Sequence, residues 1–320
     1  MKKKMFKFLM ISVAILLLSA PIWAVEKYPD RPIDFICTWG VGGGADQMAR
    51  TIGQLTEKIL GVAIPVSNIP GASGNTGLAN LLAAKADGYT VAVYIADTLA
   101  TISAGASRYK VADFDWIIRT QVAPSFLFVK TDGPYKTIQD LLNYAKENPG
   151  KIRVGTTGYG TVDDVTVRYF ASKGYKMTLL PVPKPGERYV SVLGGHSEAL
   201  YEQAGDIKQY LDAKQLRPII IFAHNRHPAF PDIPCSVELG YELTLPQFRS
   251  IVAKAGTPPD RVKILAEAFK KAMETPEWKK FAEDQFLDPE SCMGPDKLQA
   301  WVSSEMETMR DFMKTFGMVK

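Results

Sequence analysis

The sequence predicts an α/β fold with two lobes, each a mainly parallel sheet flanked by helices. Strand-like runs alternate with amphipathic helices, this alternation starts again after residue 130, and 320 residues are many for a single core. The two halves are not repeats of each other and no low-complexity linker separates them. We therefore expect the chain to cross between the lobes more than once, with 25–128 and 226–320 forming one lobe and 129–225 the other.

The first half has the order strand, glycine loop, helix, which occurs twice before a third strand. Its predicted segments are strands at 33–38, 62–66 and 89–95 and glycine loops at 40–44 and 70–75. Apolar residues from Ala45 to Ile59 recur at helical spacing, and Gly61 is placed to cap that helix. This order is typical of a parallel sheet that is covered by helices.

The second half repeats this alternation and ends in helices. Its predicted segments are strands at 152–154, 179–182 and 218–222, a small-residue loop at 155–160, and helices at 259–274 and 295–316. Thr137 with Asp140, and Thr161 with Asp164, have the spacing of capping boxes. The apolar stripe of the last helix is rich in methionine, and its spacing predicts packing against the core.

The first 24 residues have the pattern of a secretory signal peptide. Four lysines precede an apolar run from Phe8 to Ala20, and small residues lead to a cleavage site near Ala24. A retained anchor is the alternative, but the run is short for a membrane span. The whole chain has 38 basic and 34 acidic side chains; removing the four lysines leaves 34 of each. We therefore expect a periplasmic protein that does not bind nucleic acid.

Cysteine and histidine indicate neither a disulfide framework nor a metal site. The chain has three cysteines, and Cys37 lies in an apolar strand pattern that predicts burial. The sequence leaves undecided whether Cys235 and Cys292 form a disulfide. The three histidines have no metal-ligand spacing. We expect no metal and no cofactor.

The glycine loops share a chemical property, because each follows a strand and precedes a helix. Amides at a helix amino terminus are unsatisfied and carry partial positive charge, and glycine allows a ligand to approach them closely. In an α/β sheet such loops gather at the carboxyl ends of the strands. Each loop alone could be a simple turn, but three together predict an anion site.

Two kinds of enzyme are the alternatives. Gly40, Gly42 and Ala45 match the permissive dinucleotide fingerprint, but the second strand ends at Asn68 with no acid to bind a ribose hydroxyl. Ser73 lies outside a nucleophile-elbow motif, and no histidine stands out as its base. We expect neither activity.

At these loops the sequence resembles the Bug-type receptors, the substrate-binding components of tripartite tricarboxylate transporters. The resemblance is carried by 28–33, Gly42-Gly43-Gly44-Ala45-Asp46, 49–50, 68–77, 86–90, 194–195, 226–228, 231–234 and 256–258. Their order and spacing cover essentially the whole chain after the first 24 residues. The resemblance implies a two-lobed periplasmic binding protein of the type II, Venus-flytrap class, which closes on its ligand.

The resemblance also implies where the ligand binds. Backbone amides of the first two glycine loops would hold one carboxylate, with no cationic side chain required. The near residues would be Trp39, Val41, Gly42, Gly43, Gly44, Ala72, Ser73 and Gly74. The far residues would be Asp97, Thr98, Thr156, Thr157, Tyr159, Glu202 and Gln203.

Departures from the family pattern bear on the ligand. Trp39 stands where the family commonly has Phe, and Asp97 stands in a stretch usually made of small hydroxyl residues. Asp97 and Glu202 would make the far wall acidic, whereas Asp163 and Asp164 are expected to serve the first turn of a helix. Such a wall disfavours a tricarboxylate. It suits a monocarboxylate, an aromatic acid against Trp39 or Tyr159, or a ligand with an amino group.

The expected function is capture of a small mono- or dicarboxylate, which can be aromatic or an amino acid, in the cleft between the lobes, without catalysis and by a monomer. The partners would be membrane subunits of a tripartite transporter. A sensing receptor that signals to a partner and a secreted enzyme acting on an organic acid are the alternatives.

Overall fold

The computed structural model describes residues 27–319, in which strands and helices alternate. The strands are β1 (Asp34–Cys37), β2 (Val66–Asn68), β3 (Thr90–Ile95), β4 (Phe114–Ala123), β5 (Ser125–Lys130), β6 (Arg153–Thr156), β7 (Thr178–Pro181), β8 (Ala199–Glu202), β9 (Leu216–Phe222) and β10 (Gln247–Lys254). The helices are α1 (Gly44–Leu60), α2 (Asn75–Ala83), α3 (Ala96–Ser103), α4 (Ile138–Glu147), α5 (Val162–Ser172), α6 (Pro185–Leu193), α7 (Lys208–Asp212), α8 (Pro259–Met273), α9 (Pro276–Asp284) and α10 (Pro295–Lys314). The signal peptide and its cleavage near Ala24 lie outside the described residues.

The strands form two five-stranded sheets, and the α/β prediction is confirmed, although each sheet is mixed rather than mainly parallel. The first has the order β2-β1-β3-β10-β4 and the second the order β7-β6-β8-β5-β9. β1 is parallel to β2 and β3, whereas β10 is antiparallel to β3 and β4. In the second sheet β6 is parallel to β7 and β8, whereas β5 is antiparallel to β8 and β9. We call the two sheets with their helices the first and second lobes.

The chain crosses between the sheets twice. The first crossing lies at Pro124, between β4 and β5, so the expected boundary at 128 falls inside β5 rather than at the crossing. The return lies between β9 and β10, and a bridge from Ile221 to Cys235 still ties its first part to the second sheet. Beyond β10, α8 packs on α1 and α10 packs on β4, which returns the chain to the first lobe.

Local patterns explain where several elements begin and end. Gly61 has a φ of 71° and its amide donates to Glu57 O, so the predicted glycine cap of α1 is confirmed. β2 lies later in the chain than predicted, because it spans Val66–Asn68 rather than 62–66. The carbonyls of Ala63 and Pro65 still accept from the amides of Ile33 and Phe35, but Pro65 has no amide to donate, which interrupts the ladder.

The capping-box predictions have different outcomes. Thr137 and Asp140 cap α4 reciprocally, as predicted. The prediction for α5 is wrong, because Thr161 makes no side-chain cap bond to the helix backbone. Its Oγ1 instead donates to Gly158 O at 2.8 Å and bonds to Asp163, while Asp164 accepts from the amide of Gly160.

The apolar faces pack as the sequence indicates. Met309 and Met313 are buried with Leu298 and Val302 on the inner side of α10, which confirms the core role of the methionine-rich stripe. Cys37 is buried in β1, as predicted. The three cysteines are free thiols, so the bridge from Cys235 to Cys292 is not formed. Across 27–319, none of the helices has the length and apolar character that a membrane span requires.

Candidate functional site

The two sheets direct the carboxyl ends of their parallel strands toward a common cleft. The first glycine loop follows β1 and the second follows β2, while the loop after β6 and the end of β8 approach from the second lobe. β10 runs antiparallel to β3, and Arg249 pairs with Ile95. The first residues of β10 therefore reach the carboxyl edge of the sheet, so that Gln247 and Arg249 enter the cleft.

Both lobes line a cavity of about 40 Å³ at this cleft. Among the sequence-predicted site residues, those that line it are Trp39, Gly43, Gly44, Asp97, Thr157, Glu202 and Gln203. The sequence interpretation missed Ala45, Ile95, Pro183, Pro185, Arg188, Asp206, Gln247 and Arg249. Larger hollows of about 630 and 840 Å³ lie along α8, but no buried charged side chain lines them.

The other predicted residues lie beside the cavity or away from it. Thr98 Oγ1 donates a hydrogen bond to Ser73 O at 3.0 Å. A Cβ built on Gly74 would lie 3.3 Å from Trp39 Nε1. The second glycine loop therefore adjoins the cavity wall. The remaining positions are Val41, Gly42, Ala72, Thr156 and Tyr159. Val41 and Tyr159 are exposed, and Thr156 is buried in β6. Gly42 donates its amide to the Asp46 carboxylate. Ala72 lines a separate surface opening together with Ser73 and Tyr159.

Arg249 connects the lobes. Its Nη1 donates to Gln121 Oε1 at 2.8 Å within the first lobe, and its Nη2 donates to Gln203 Oε1 at 3.3 Å in the second. Nη2 also forms an ion pair with the Asp206 carboxylate. Both partners of this pair are buried. A charge-assisted contact across the cleft thus holds the lobes together in this structure.

Arg188 forms a second buried ion pair, within the second lobe. Its Nη2 lies 2.7 Å from Glu202 Oε2, and its Nη1 donates to Val182 O at 2.8 Å. Burial lowers the pKa of Arg188, but the Glu202 carboxylate outweighs burial and the net shift is upward. Arg188 therefore stays charged, and Glu202 is already neutralised by a partner of its own.

Asp97 is the acid of the first lobe that faces the second. Its Oδ1 accepts from the amide of Val162 at 3.0 Å, and its Oδ2 accepts from Gln247 Nε2 at 3.1 Å. No cationic side chain bonds to it among the described residues. Burial, followed by the charge of Asp163, raises the pKa of Asp97 to about 8.

Asp163 and Asp164 occupy the first turn of α5, as predicted. Asp163 accepts from the amide and hydroxyl of Thr157, which fixes the loop after β6 against the helix. Burial raises its pKa. Asp164 forms an ion pair with Arg168 at 2.7 Å, one turn later in the same helix. The two acids therefore have a role in local structure.

Several buried polar atoms at the cavity have no hydrogen-bond partner among residues 27–319. They are Trp39 Nε1, Arg188 Nε, Arg249 Nε and Asp206 Oδ1. Three of the four are donors, and no side chain caps α1, which begins at Gly44 beside them. The cavity thus combines donors with a helix amino terminus, an arrangement that can hold a carboxylate.

The charges correct the sequence interpretation in one respect. A site made mainly of main-chain amides, with no cationic side chain required, was expected, whereas Arg188 and Arg249 both line the cavity. Each is already paired with an acid, and Asp97 lines the same cavity with no cationic partner among the described residues. Acidic and cationic side chains thus line the cavity together, and an acidic wall that selects the ligand stays a prediction. Within 27–319 no group of three or more His, Cys, Asp or Glu side chains could hold a metal ion.

Two α/β lobes that meet at a polar cleft define a two-lobed solute-binding protein. The family model described as the tripartite tricarboxylate transporter family receptor matches residues 48–317. The chain belongs to this family, whose receptors are periplasmic solute-binding proteins that bind small carboxylates and work with transporter subunits.

Individual relatives agree with this assignment. The UPF0065 protein in the gbd 5′ region of Cupriavidus necator is 31% identical over 297 residues, covering 92% of this chain and 90% of that protein. BugT of Bordetella pertussis is 25% identical over 316 residues, covering 96% and 95%. A solved structure described as a periplasmic transporter has a TM-score of 0.85 at 25% identity, covering 92% of this chain and 99% of the other.

Proposed function

We propose that this chain is a periplasmic receptor that binds one small carboxylate in the cleft and delivers it to the membrane subunits of a tripartite transporter. The observation that carries the proposal is the convergence of Trp39 Nε1, the Arg249 guanidinium and the amino terminus of α1 on one buried cavity. Charge-assisted bonds from such donors are the strongest that a carboxylate makes in proteins.

Closure of the lobes would be part of binding. A ligand with differential affinity for the closed state shifts the equilibrium toward it, and no catalytic step is required. The first lobe would supply the glycine loop and Arg249, and the second lobe would supply Thr157 and Gln203. The chain is expected to act as a monomer.

The ligand is expected to carry little net negative charge. Glu202 and Asp206 already neutralise the two guanidinium groups, and Asp97 lies on the same cavity. A tricarboxylate would add anions that these residues cannot balance, because unpaired buried charge is strongly unfavourable. A monocarboxylate, an aromatic acid against Trp39, or an amino acid would suit the cavity better.

A thermal-shift series tests the class of ligand. Propionate, benzoate, alanine, malate and citrate are compared at equal concentration and pH with the protein cleaved of its leader. We expect saturable stabilisation by one or more of the first three acids. Strong, saturable stabilisation by citrate alone would contradict the proposal, and mass spectrometry of any acid that co-purifies would identify the ligand directly.

A sensing receptor is the second candidate, because it would bind the same ligand at the same cleft. The two functions differ in uptake by the cell. A strain that lacks the gene should lose uptake of the identified acid if the chain serves a transporter. Normal uptake in that strain, together with binding by the purified protein, would favour the sensor.

A further inference from the structure

Asp206 lies where the first glycine loop meets Arg249. It belongs to the second lobe, in the turn Gly205–Ile207, and is 5% exposed. A Cβ built on Gly44, the first residue of α1, would overlap both the Asp206 carboxylate and the Arg249 guanidinium. The Asp206 carboxylate therefore lies against the amino-terminal turn of α1, with the guanidinium beside it.

These surroundings are those that a ligand carboxylate requires. The amino terminus of a helix favours negative charge, and a guanidinium forms short, charge-assisted bonds to carboxylate oxygens. The Asp206 carboxylate forms only some of the hydrogen bonds that these surroundings offer. Its own Oδ1, Arg249 Nε and Trp39 Nε1 are buried and have no partner among the described residues.

The volume of the cavity supports the same interpretation. Pockets for small molecules commonly measure roughly 300–1,000 Å³. This cavity measures about 40 Å³, and Asp206 is one of the side chains that line it. Displacement of Asp206 would both free the donors and enlarge the space beside Gly44.

We propose that Asp206 is the chain's own occupant of the carboxylate site, and that a ligand carboxylate binds Arg249 and the start of α1 by displacing it. This inference rests on the proposed function and adds a specificity-determining residue to it. A ligand must compete with the Asp206 carboxylate for this site. Its apparent affinity is therefore lowered in proportion to the fraction of molecules in which Asp206 occupies the site. Weakly binding acids are thereby excluded.

Isothermal titration with propionate, benzoate and malate as probes tests the competition. Asp206→Asn keeps the size of the side chain and removes its charge. If about nine-tenths of the wild-type molecules are self-occupied, the variant should bind the carboxylate probe about tenfold more tightly. Asp212→Asn is the matched control, because it removes an exposed acid of the same lobe, paired with Lys208, and should bind as the wild type does.

The outcomes separate this inference from the proposed function. If a probe binds the wild type and binds Asp206→Asn no more tightly, the inference is wrong and the receptor function stands. If no probe binds either protein, both fail. Weaker binding of the probes by a folded Asp206→Asn variant would assign Asp206 to a direct ligand contact and also overturn the inference.

A pH series on the wild type provides a test that does not depend on folding of the variant. Burial raises the pKa of Asp206 to about 6, although Arg249 opposes the shift. The charged groups that face it are Arg249, Glu202 and Arg188, with the Tyr189 phenol nearby.

Protonation of Asp206 removes the competitor, while benzoate, with a pKa of about 4, stays ionised. The Kd for benzoate should therefore fall as the pH is lowered from about 7.5 to about 5.5. Asp97 lines the same cavity and has a pKa raised to about 8, so the series is repeated in Asp97→Asn, in which a remaining fall in Kd is due to Asp206. A Kd that stays constant or rises over this range would overturn the inference.

Discussion

Asp97 Oδ1 accepts a hydrogen bond from the amide of Val162 at 3.0 Å, and this bond joins α3 of the first lobe to α5 of the second. Val162 is the first residue of α5, so the carboxyl group caps a helix across the cleft. The helix end favours negative charge there. Asp97 is nevertheless 3% exposed, and burial, with the nearby Asp163, raises its pKa to about 8. The arrangement therefore retains a proton on Asp97 at neutral pH.

This retained proton predicts how stability depends on pH. The folded pKa of Asp97 lies above the value of about 4 for an unfolded aspartate, so the folded protein binds more protons between the two. The contribution of Asp97 to stability should therefore fall as the pH rises from about 4 to about 8. In urea denaturation, Asp97→Asn should reduce this slope by at most about 1.4 kcal/mol per pH unit.

An exposed acid provides the control for Asp97. Asp132 is exposed in the turn after β5, where it pairs loosely with Lys130. Asp132→Asn should leave the slope as it is in the wild type. An equal dependence of stability on pH in Asp97→Asn and in the wild type would contradict the assignment.

Gly44→Ala should prevent closure of the lobes while leaving each lobe folded. Gly44 lies at the start of α1, where alanine is favourable for the helix itself. Its Cβ would overlap the Asp206 carboxylate of the second lobe only when the lobes meet, whereas the Arg249 guanidinium, in the same lobe as Gly44, is the end of a flexible side chain. We expect loss of the acid-induced thermal shift and a larger radius of gyration in X-ray scattering.

Gly186→Ala is the matched control for Gly44. A Cβ on Gly186, in α6, meets no atom within 4 Å. This variant should keep both the thermal shift and the wild-type radius of gyration. If Gly44→Ala behaves in the same way, the glycine loop does not form the contact between lobes on which the site depends.

The sequence was informative where local chemistry decides structure. The glycine after α1, the capping box of α4 and the methionine stripe of α10 each depend on residues close together in the chain. The first glycine loop was recognised for the same reason, and its Gly43 and Gly44 line the cavity, although its role in binding stays a prediction.

The sequence was uninformative where distant elements meet. β10 is buried along nearly its whole length and has no alternating pattern, so it was not recognised as a strand and Arg249 was not assigned. Arg188 faces the cleft only because α6 packs on β6 and β8, which follows from the order of strands in the second sheet. Neither arginine carries a local motif.

The buried pair of Arg188 and Glu202 predicts a strong loss of stability on single substitution. Arg188→Met leaves the Glu202 carboxylate buried without its partner, which should reduce the free energy of unfolding by about 3–5 kcal/mol. The double variant Arg188→Met with Glu202→Met removes both charges and should recover much of that loss. Urea denaturation of the wild type, Arg188→Met and the double variant measures the loss of stability and its recovery.

An exposed pair on the same helix serves as the comparison. Lys184 and Glu187 lie 2.8 Å apart in solvent at the start of α6. Lys184→Met should leave stability nearly unchanged, because solvent screens exposed pairs. Equal losses for Arg188→Met and Lys184→Met would show that burial of the Arg188 pair has no energetic consequence.

The cysteines should differ in reactivity toward iodoacetamide. Cys292 is exposed, whereas Cys37 and Cys235 are buried, and burial raises the pKa of Cys37 to about 12. The native protein should therefore be alkylated at Cys292 alone, and the protein unfolded in guanidinium at all three thiols. Peptide mass spectrometry identifies the sites. Absence of label at Cys292 that is reversed by a reductant would instead indicate a bridge.

Trp39 should bind the ligand through its indole N–H. Trp39 Nε1 is buried, has no partner among residues 27–319 and lies close to Gly74. Trp39→Phe keeps an aromatic wall and removes the donor. Because a hydrogen bond to a charged group contributes about 1.5–3 kcal/mol, we expect the Kd of the best acid in the thermal-shift series to rise about tenfold or more.

Trp116→Phe separates a binding effect from a general loss of stability. Trp116 Nε1 donates to Val111 O at 3.1 Å in the core of the first lobe, away from the cavity. This variant should be less stable than the wild type but should bind the acid with the same Kd. Trp39→Phe should also lose most of the fluorescence change on binding, because Trp39 is the only one of the four tryptophans between 27 and 319 that lines the cavity. An unchanged Kd in Trp39→Phe would indicate that the carboxylate binds Arg249 and the start of α1 without a hydrogen bond from the indole.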